Sequence, residues 1–105
     1  MANQVIEKHP AAVIRFADFD FTDDLPDDTT LSASSTVTAV DAAGTSAPTV
    51  VSTVSISGMI LRAVLTLGTN GQDYTVTFNA IGGTTGHIIV KQLEMRVRTK
   101  LTGAL

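Results

Sequence analysis

From Tyr74 to Arg98 the chain switches between apolar and polar residues at almost every step, and this period of two limits what it can fold into. Tyr74, Val76, Phe78 and Ala80 alternate with Thr75, Thr77 and Asn79. After Gly82-Gly83-Thr84-Thr85-Gly86, the stretch His87 to Arg98 sets Ile89, Lys91, Leu93, Met95 and Val97 against Gln92, Glu94, Arg96 and Arg98. In extended backbone successive side chains point to opposite faces, so each run presents one apolar and one polar face. A helix would need its apolar residues three and four apart. Two half-buried strands joined by a glycine-rich turn are predicted here.

The same grammar extends upstream. Val13 to Phe21 reads as a strand rich in Phe16, Phe19 and Phe21. Thr22 to Thr29 follows as a loop, because Asp side chains cap nearby backbone and Pro26 fixes a φ angle. Thr30 to Val40 reads as a second strand, with Leu31, Ala33, Ser35, Val37 and Ala39 on one face. Asp41 to Thr49 lacks large side chains and reads as a loop. Val50 to Ser57 is a strand with Val50, Val54 and Ile56 sharing a face, ended or bulged by Gly58. Ile60 to Leu67, bounded by glycines, suits a strand better than a helix. Asn70-Gly71 favours the positive φ angles of a tight hairpin. The 16 threonines and the absence of tryptophan agree with this reading, since β-branched residues fit a pleated surface well. The pattern predicts one all-β domain, an Ig-like antiparallel β-sandwich of six to seven strands over 13–105. Residues 1–12, polar and broken by Pro10, are expected to form a flexible N-terminal arm.

Charge and chemistry exclude several functions. The net charge is −3, six of the ten acids fall between Asp18 and Asp28, and four of the seven bases (Lys91, Arg96, Arg98, Lys100) fall near the C-terminus. An acidic chain with few aromatics is a poor nucleic-acid binder, because phosphate attraction supplies most such affinity. No apolar run approaches the roughly 20 residues of a membrane span. The N-terminus has no signal-peptide core, so a soluble protein made in the cytoplasm is expected. Cysteine is absent, which removes disulfides and thiolate metal sites.

The aspartates suggest a calcium loop, but an EF-hand begun at Asp18 puts Asp23 where glycine is required, and one begun at Asp20 puts Leu25 there. A solvated turn with local caps is the plain reading, and an acidic patch for a basic partner is the sharper one. His9 and His87 stand far apart, no Gly-x-Ser-x-Gly elbow exists, and no Gly-Lys-Thr/Ser follows Gly82–Gly86. No enzyme activity, cofactor or metal is expected. The candidate interface residues are Asp23, Asp24, Asp27, Asp28, Arg96 and Arg98. If the first and last strands are neighbours, these opposite charges pair internally; if not, they suit head-to-tail contacts between copies.

Several segments carry a family likeness. Phe19-Asp-Phe-Thr-Asp-Asp-Leu-Pro-Asp-Asp-Thr-Thr-Leu31 runs into a Ser/Thr-rich strand. Leu67-Gly-Thr-Asn-Gly-Gln-Asp-Tyr-Thr-Val-Thr-Phe78, then Thr84-Thr-Gly-His87, then Leu93-Glu-Met-Arg-Val97 follow in order. Over about 85 residues these turns and core alternations resemble a family of short Ig-like tailed-phage virion proteins, the fibre–tail or head–tail adaptors. The resemblance implies a structural protein of the virion that docks onto portal, tail or fibre components and forms homo-oligomers. The chain departs from the family in lacking a tryptophan on its second or third strand. The other function weighed is a ligand-binding sandwich, either carbohydrate-binding or capsid-decorating.

Overall fold

The computed structural model describes residues 4–9 and 14–98. The strands are β1 (Gln4–Lys8), β2 (Ile14–Asp20), β3 (Thr36–Asp41), β4 (Val51–Ser57), β5 (Ile60–Leu65), β6 (Asp73–Ile81) and β7 (Ile88–Val97), with one 3-10 turn at Pro48–Val50. They form a four-stranded sheet in the order β1-β7-β6-β3 and a three-stranded sheet in the order β2-β5-β4. The two sheets pack face to face, as the half-polar strands require. All β–β pairings are antiparallel except β1 with β7, which is parallel.

The core follows from the alternation. β6 buries Tyr74, Val76, Phe78 and Ala80, and β7 buries Leu93, Met95 and Val97. From the facing sheet come Ala17, Leu61, Ala63 and Leu65, and Phe21 enters from the end of β2. Phe19 of β2 meets Phe78 of β6 edge-on, with ring centroids 4.9 Å apart and planes at 77°. That arrangement suits the quadrupoles of two aromatic rings and joins the layers.

Gly82–Gly86 is the predicted hairpin turn, with Ile81 opposite Ile88. Ile60–Leu65 is a strand, as preferred. Gly58, at φ +60°, reverses the chain between β4 and β5 in a conformation that a Cβ would disfavour.

Three expectations are corrected. Asn70-Gly71 does not close a hairpin, because β5 and β6 lie in different sheets. The connection crosses the sandwich and is held by the Tyr74 hydroxyl, which accepts from Thr69 N–H at 2.9 Å, and by Gly71 N–H donating to the Val97 carbonyl at 2.8 Å. Thr30–Val40 is not one strand: Ser35 N–H donates to the Ser32 carbonyl and Ser34 N–H to the Ser32 hydroxyl, so local turn bonds displace the ladder until Thr36. Within the segment expected to be an irregular arm, Gln4–Lys8 is a strand, completed by the edge of β7 from Leu93 to Val97. The rest of that segment (1–3 and 10–12), Val13 and Lys100 lie outside the described residues.

Candidate functional site

The aspartate-rich loop and the arginine pair sit at opposite ends of the sandwich. Residues 21–30 lie against the β6–β7 turn at the start of β7, whereas Arg96 and Arg98 lie at its far end. β7 spans ten residues, or about 30 Å of extended chain at roughly 3.3 Å per residue. The six candidate side chains therefore form no single cluster.

Asp28 is buried. Its carboxylate accepts from Thr84 N–H at 2.7 Å, Thr85 N–H at 3.0 Å and the Thr85 hydroxyl at 2.7 Å. Asp28 thus clamps the loop onto the turn. The Thr85 hydroxyl, then the Thr85 N–H, hold its pKa below the ordinary aspartate value; burial opposes them, and Thr84 N–H and the nearby His87 assist. Asp20 is lowered in the same way, first by the Thr22 hydroxyl and then by Thr22 N–H.

A lowered carboxylate pKa gives stability that is fully present above the unfolded value and lost as pH falls through the folded one. The melting temperature should therefore drop as pH falls below 3.8, the ordinary value. Asp28→Asn should melt lower at pH 7 and show a shallower acid decline. Thermal melts between pH 7 and 2 read both, and an acid decline as steep in Asp28→Asn as in the parent would contradict the clamp.

Asp24 pairs with Lys91 at 2.8 Å. The Lys91 ammonium also stands 5.1 Å from the Phe21 ring centroid and 5.9 Å from that of Phe19, within cation–π range. Lys91 sits at an inward position of β7, and its charge reaches the rim of the core at Asp24. Asp23 and Asp27 are exposed in the loop.

At the other end, Arg98 donates to Asp73 at 2.7 Å and to the Gln72 and Val97 carbonyls at 3.2 and 2.8 Å. It staples the sheet crossover to the end of β7. Arg96 is exposed, 3.4 Å from Glu94 two residues back on the same face. β2 and β7 lie in different sheets, so the opposite charges of these strands do not form one ladder of pairs; Lys91 of β7 instead reaches Asp24 in the loop that follows β2.

Ile88 and Val90 were overlooked in the sequence, yet they are 60% and 53% exposed at the acidic end. Their parity was the available signal, since they fall on the same face of β7 as Gln92 and Glu94. Both lie near the start of β7, the end at which the aspartate loop meets the β6–β7 turn. Phe21, Tyr74 and Phe78 are buried and Phe19 packs on the core, so none of these rings offers a sugar a flat platform. Among the described residues no group of three or more His, Cys, Asp or Glu side chains is placed to hold a metal ion.

Comparison with known families matches residues 8–98 to Gp77, described as podophage GP4 fiber-tail adaptor protein gp77. No curated protein and no solved structure matches the chain.

Proposed function

Since this chain belongs to the podophage GP4 fiber-tail adaptor family, we propose that it is a non-catalytic virion component that docks onto other tail or fibre proteins and multimerises in the assembled particle. The observation that carries this reading is the family match across 8–98, which takes in β2 to β7 whole and reaches the end of β1.

We further read the sandwich as Ig-like. The strand order β1-β7-β6-β3 and β2-β5-β4 supports this. It has the same partition as the Ig strand sets, with the first strand moved beside the last. The Tyr74 hydroxyl, bonded to backbone five residues upstream at the start of β6, is the corner device of that fold. In this proposal the boundary between 1–12 and 13–105 is kept with one change: β1 belongs to the sheet.

Docking uses the acidic end, where Asp23 and Asp27 attract a basic partner surface and Ile88 and Val90 supply apolar contact. The test is particle assembly with the charge-reversed variant Asp23→Lys/Asp27→Lys. Purified particles should contain the parent protein. The double variant should fold normally, since both positions are exposed, and should be incorporated about tenfold less, the result of losing about 1.4 kcal/mol of interaction. Absence of the parent protein from particles would overturn the adaptor reading; equal incorporation of the variant would overturn the acidic end as the docking site.

A further inference from the structure

Among the described residues, four strands border open sides of the sheets: β1 and β3 in one, β2 and β4 in the other. Edge strands carry unpaired N–H and C=O groups, and soluble proteins guard them with charges, bulges or covering segments. β1 is short, only five residues. β2 carries Asp18 and Asp20 and has a register break between Ile14 and Ala17. β3 is partly closed by its own loop, where Ala47 N–H donates to Ala39 and Asp41 N–H to Thr45. β4 differs from all three. Val51-Ser-Thr-Val-Ser-Ile-Ser57 has no charge, no proline and no glycine, and Ser52 to Ser55 are exposed.

Val54 shows how open this side is. It lies opposite Ala63, a core residue, so its side chain faces the interior of the sandwich. It is nevertheless 41% exposed. Beside it a groove of about 240 Å³ separates the β3 and β4 edges, lined by Val37, Ala39, Pro48, Val51 and Val54 among others. The layers are not fully closed here, and apolar surface meets water next to an unguarded edge.

We propose that the β4 edge is the contact between two copies of this chain, paired antiparallel about a two-fold axis at Val54. A second copy fits for three reasons. First, the segment is complementary to itself: centring the pair on Val54 sets Thr53 against Ser55 and Ser52 against Ile56 of the second copy, with no like charges opposed. Second, Val54 and Ile56 of the second copy fall on the inward side and extend the apolar layer across the groove mouth. Third, the antiparallel relation sends the two aspartate loops to opposite ends of the pair, which keeps apart the most repulsive parts of two chains that each carry −3. The pair turns two three-stranded sheets into one of six strands. A single short edge buries less than the roughly 1,200 Å² of standard stable interfaces. The pairing is therefore weak in dilute solution and strengthened by the local concentration of an assembly.

The inference deepens the multimerisation part of the adaptor reading and rests on it. The chain has no cysteine, so single cysteines report without background. Placed one at a time at positions 52 to 57 and oxidised at high protein concentration, they should give a disulfide-linked dimer that peaks with Val54→Cys and falls off on both sides. Val5→Cys, on the exposed β1 edge, should link about tenfold less, since proximity alone raises the effective thiol concentration. Val54→Lys should abolish the concentration-dependent dimer in sedimentation while the thermal melt is retained; if that variant does not fold, Ser55→Lys on the outer face serves instead. A flat profile along β4, no linkage at any β4 position, or a dimer untouched by the lysine would overturn the pairing. Repeating the cysteine series in purified particles separates the two readings. Protein present but unlinked through β4 removes only the pairing, whereas protein absent from particles removes the adaptor reading.

Discussion

Phe78→Ala should lower the free energy of unfolding by about 3–5 kcal/mol, the cost of removing a buried phenylalanine from a closed core. Phe78 is fully buried, stands opposite Val37 on β3 and Lys91 on β7, and meets Phe19 edge-on across the sandwich. Its loss removes both the apolar area and the aromatic contact between layers. Domains of this size are stable by only about 5–15 kcal/mol, so the variant should unfold at much lower urea concentration or fail to accumulate. Phe78→Leu should retain most of the stability by keeping much of the volume. Val54→Ala, on a strand whose inner face is half open, should cost less than about 1 kcal/mol because little buried surface is lost. Urea titrations of the three variants test this. Equal losses at positions 78 and 54 would mean that the core is not where the burial pattern places it.

The second large effect is expected at Gly82. A Cβ built there would run into the carboxylate of Asp28, and one at the neighbouring Gly83 would come within 2.8 Å of the Thr30 carbonyl oxygen. The Asp28 carboxylate is not free to swing away, being held by three hydrogen bonds to Thr84 and Thr85. Gly82→Ala should therefore destabilise by about 1–3 kcal/mol, the usual range for forcing atoms into filled space. The diagnostic result is the double variant. Combined with Asp28→Ala, the added methyl meets no carboxylate, so the two losses together should be smaller than their sum. Additive losses in denaturant titration would show that the glycine is required for another reason.

These two sites differ in how far they could be read in the sequence. Phe78 sits in an unbroken alternation, and position parity alone assigned it to the interior, as it did for Val76, Met95 and Val97. The hairpin at Gly82–Gly86 was legible for the same reason, because two alternating runs flank a turn-forming segment. Asp28 was not separable from Asp23, Asp24 and Asp27: all four lie in one polar loop, and only the arrival of Thr84 and Thr85 from more than fifty positions away selects one of them as a clamp. The same holds for Arg98, whose partner Asp73 lies 25 positions away.

Asn70-Gly71 misled because turn chemistry is local, whereas the choice between returning to one sheet and crossing to the other depends on Tyr74 and Val97. β1 was missed because Val5 and Ile6 are neighbours, so Gln-Val-Ile-Glu-Lys shows no alternation of apolar and polar residues. It acquires its structure from the β7 edge. Ile88 and Val90 broke the polar face of their strand in plain sight, and their exposure follows from the same parity.

The parallel pairing of β1 with β7 has a mechanical consequence. Gln4 begins β1 beside Leu93, and Val97 ends β7 beside Lys8, so the two strands run the same way along each other. Tension applied between Gln4 and Val97 pulls β1 lengthwise along β7 and strains all five registered pairs, Gln4 with Leu93 through Lys8 with Val97, in the same instant. Peeling would break them in sequence, each at a small force; sliding requires them to fail together. A joint built this way resists being drawn apart along its length far better than being unzipped from its side.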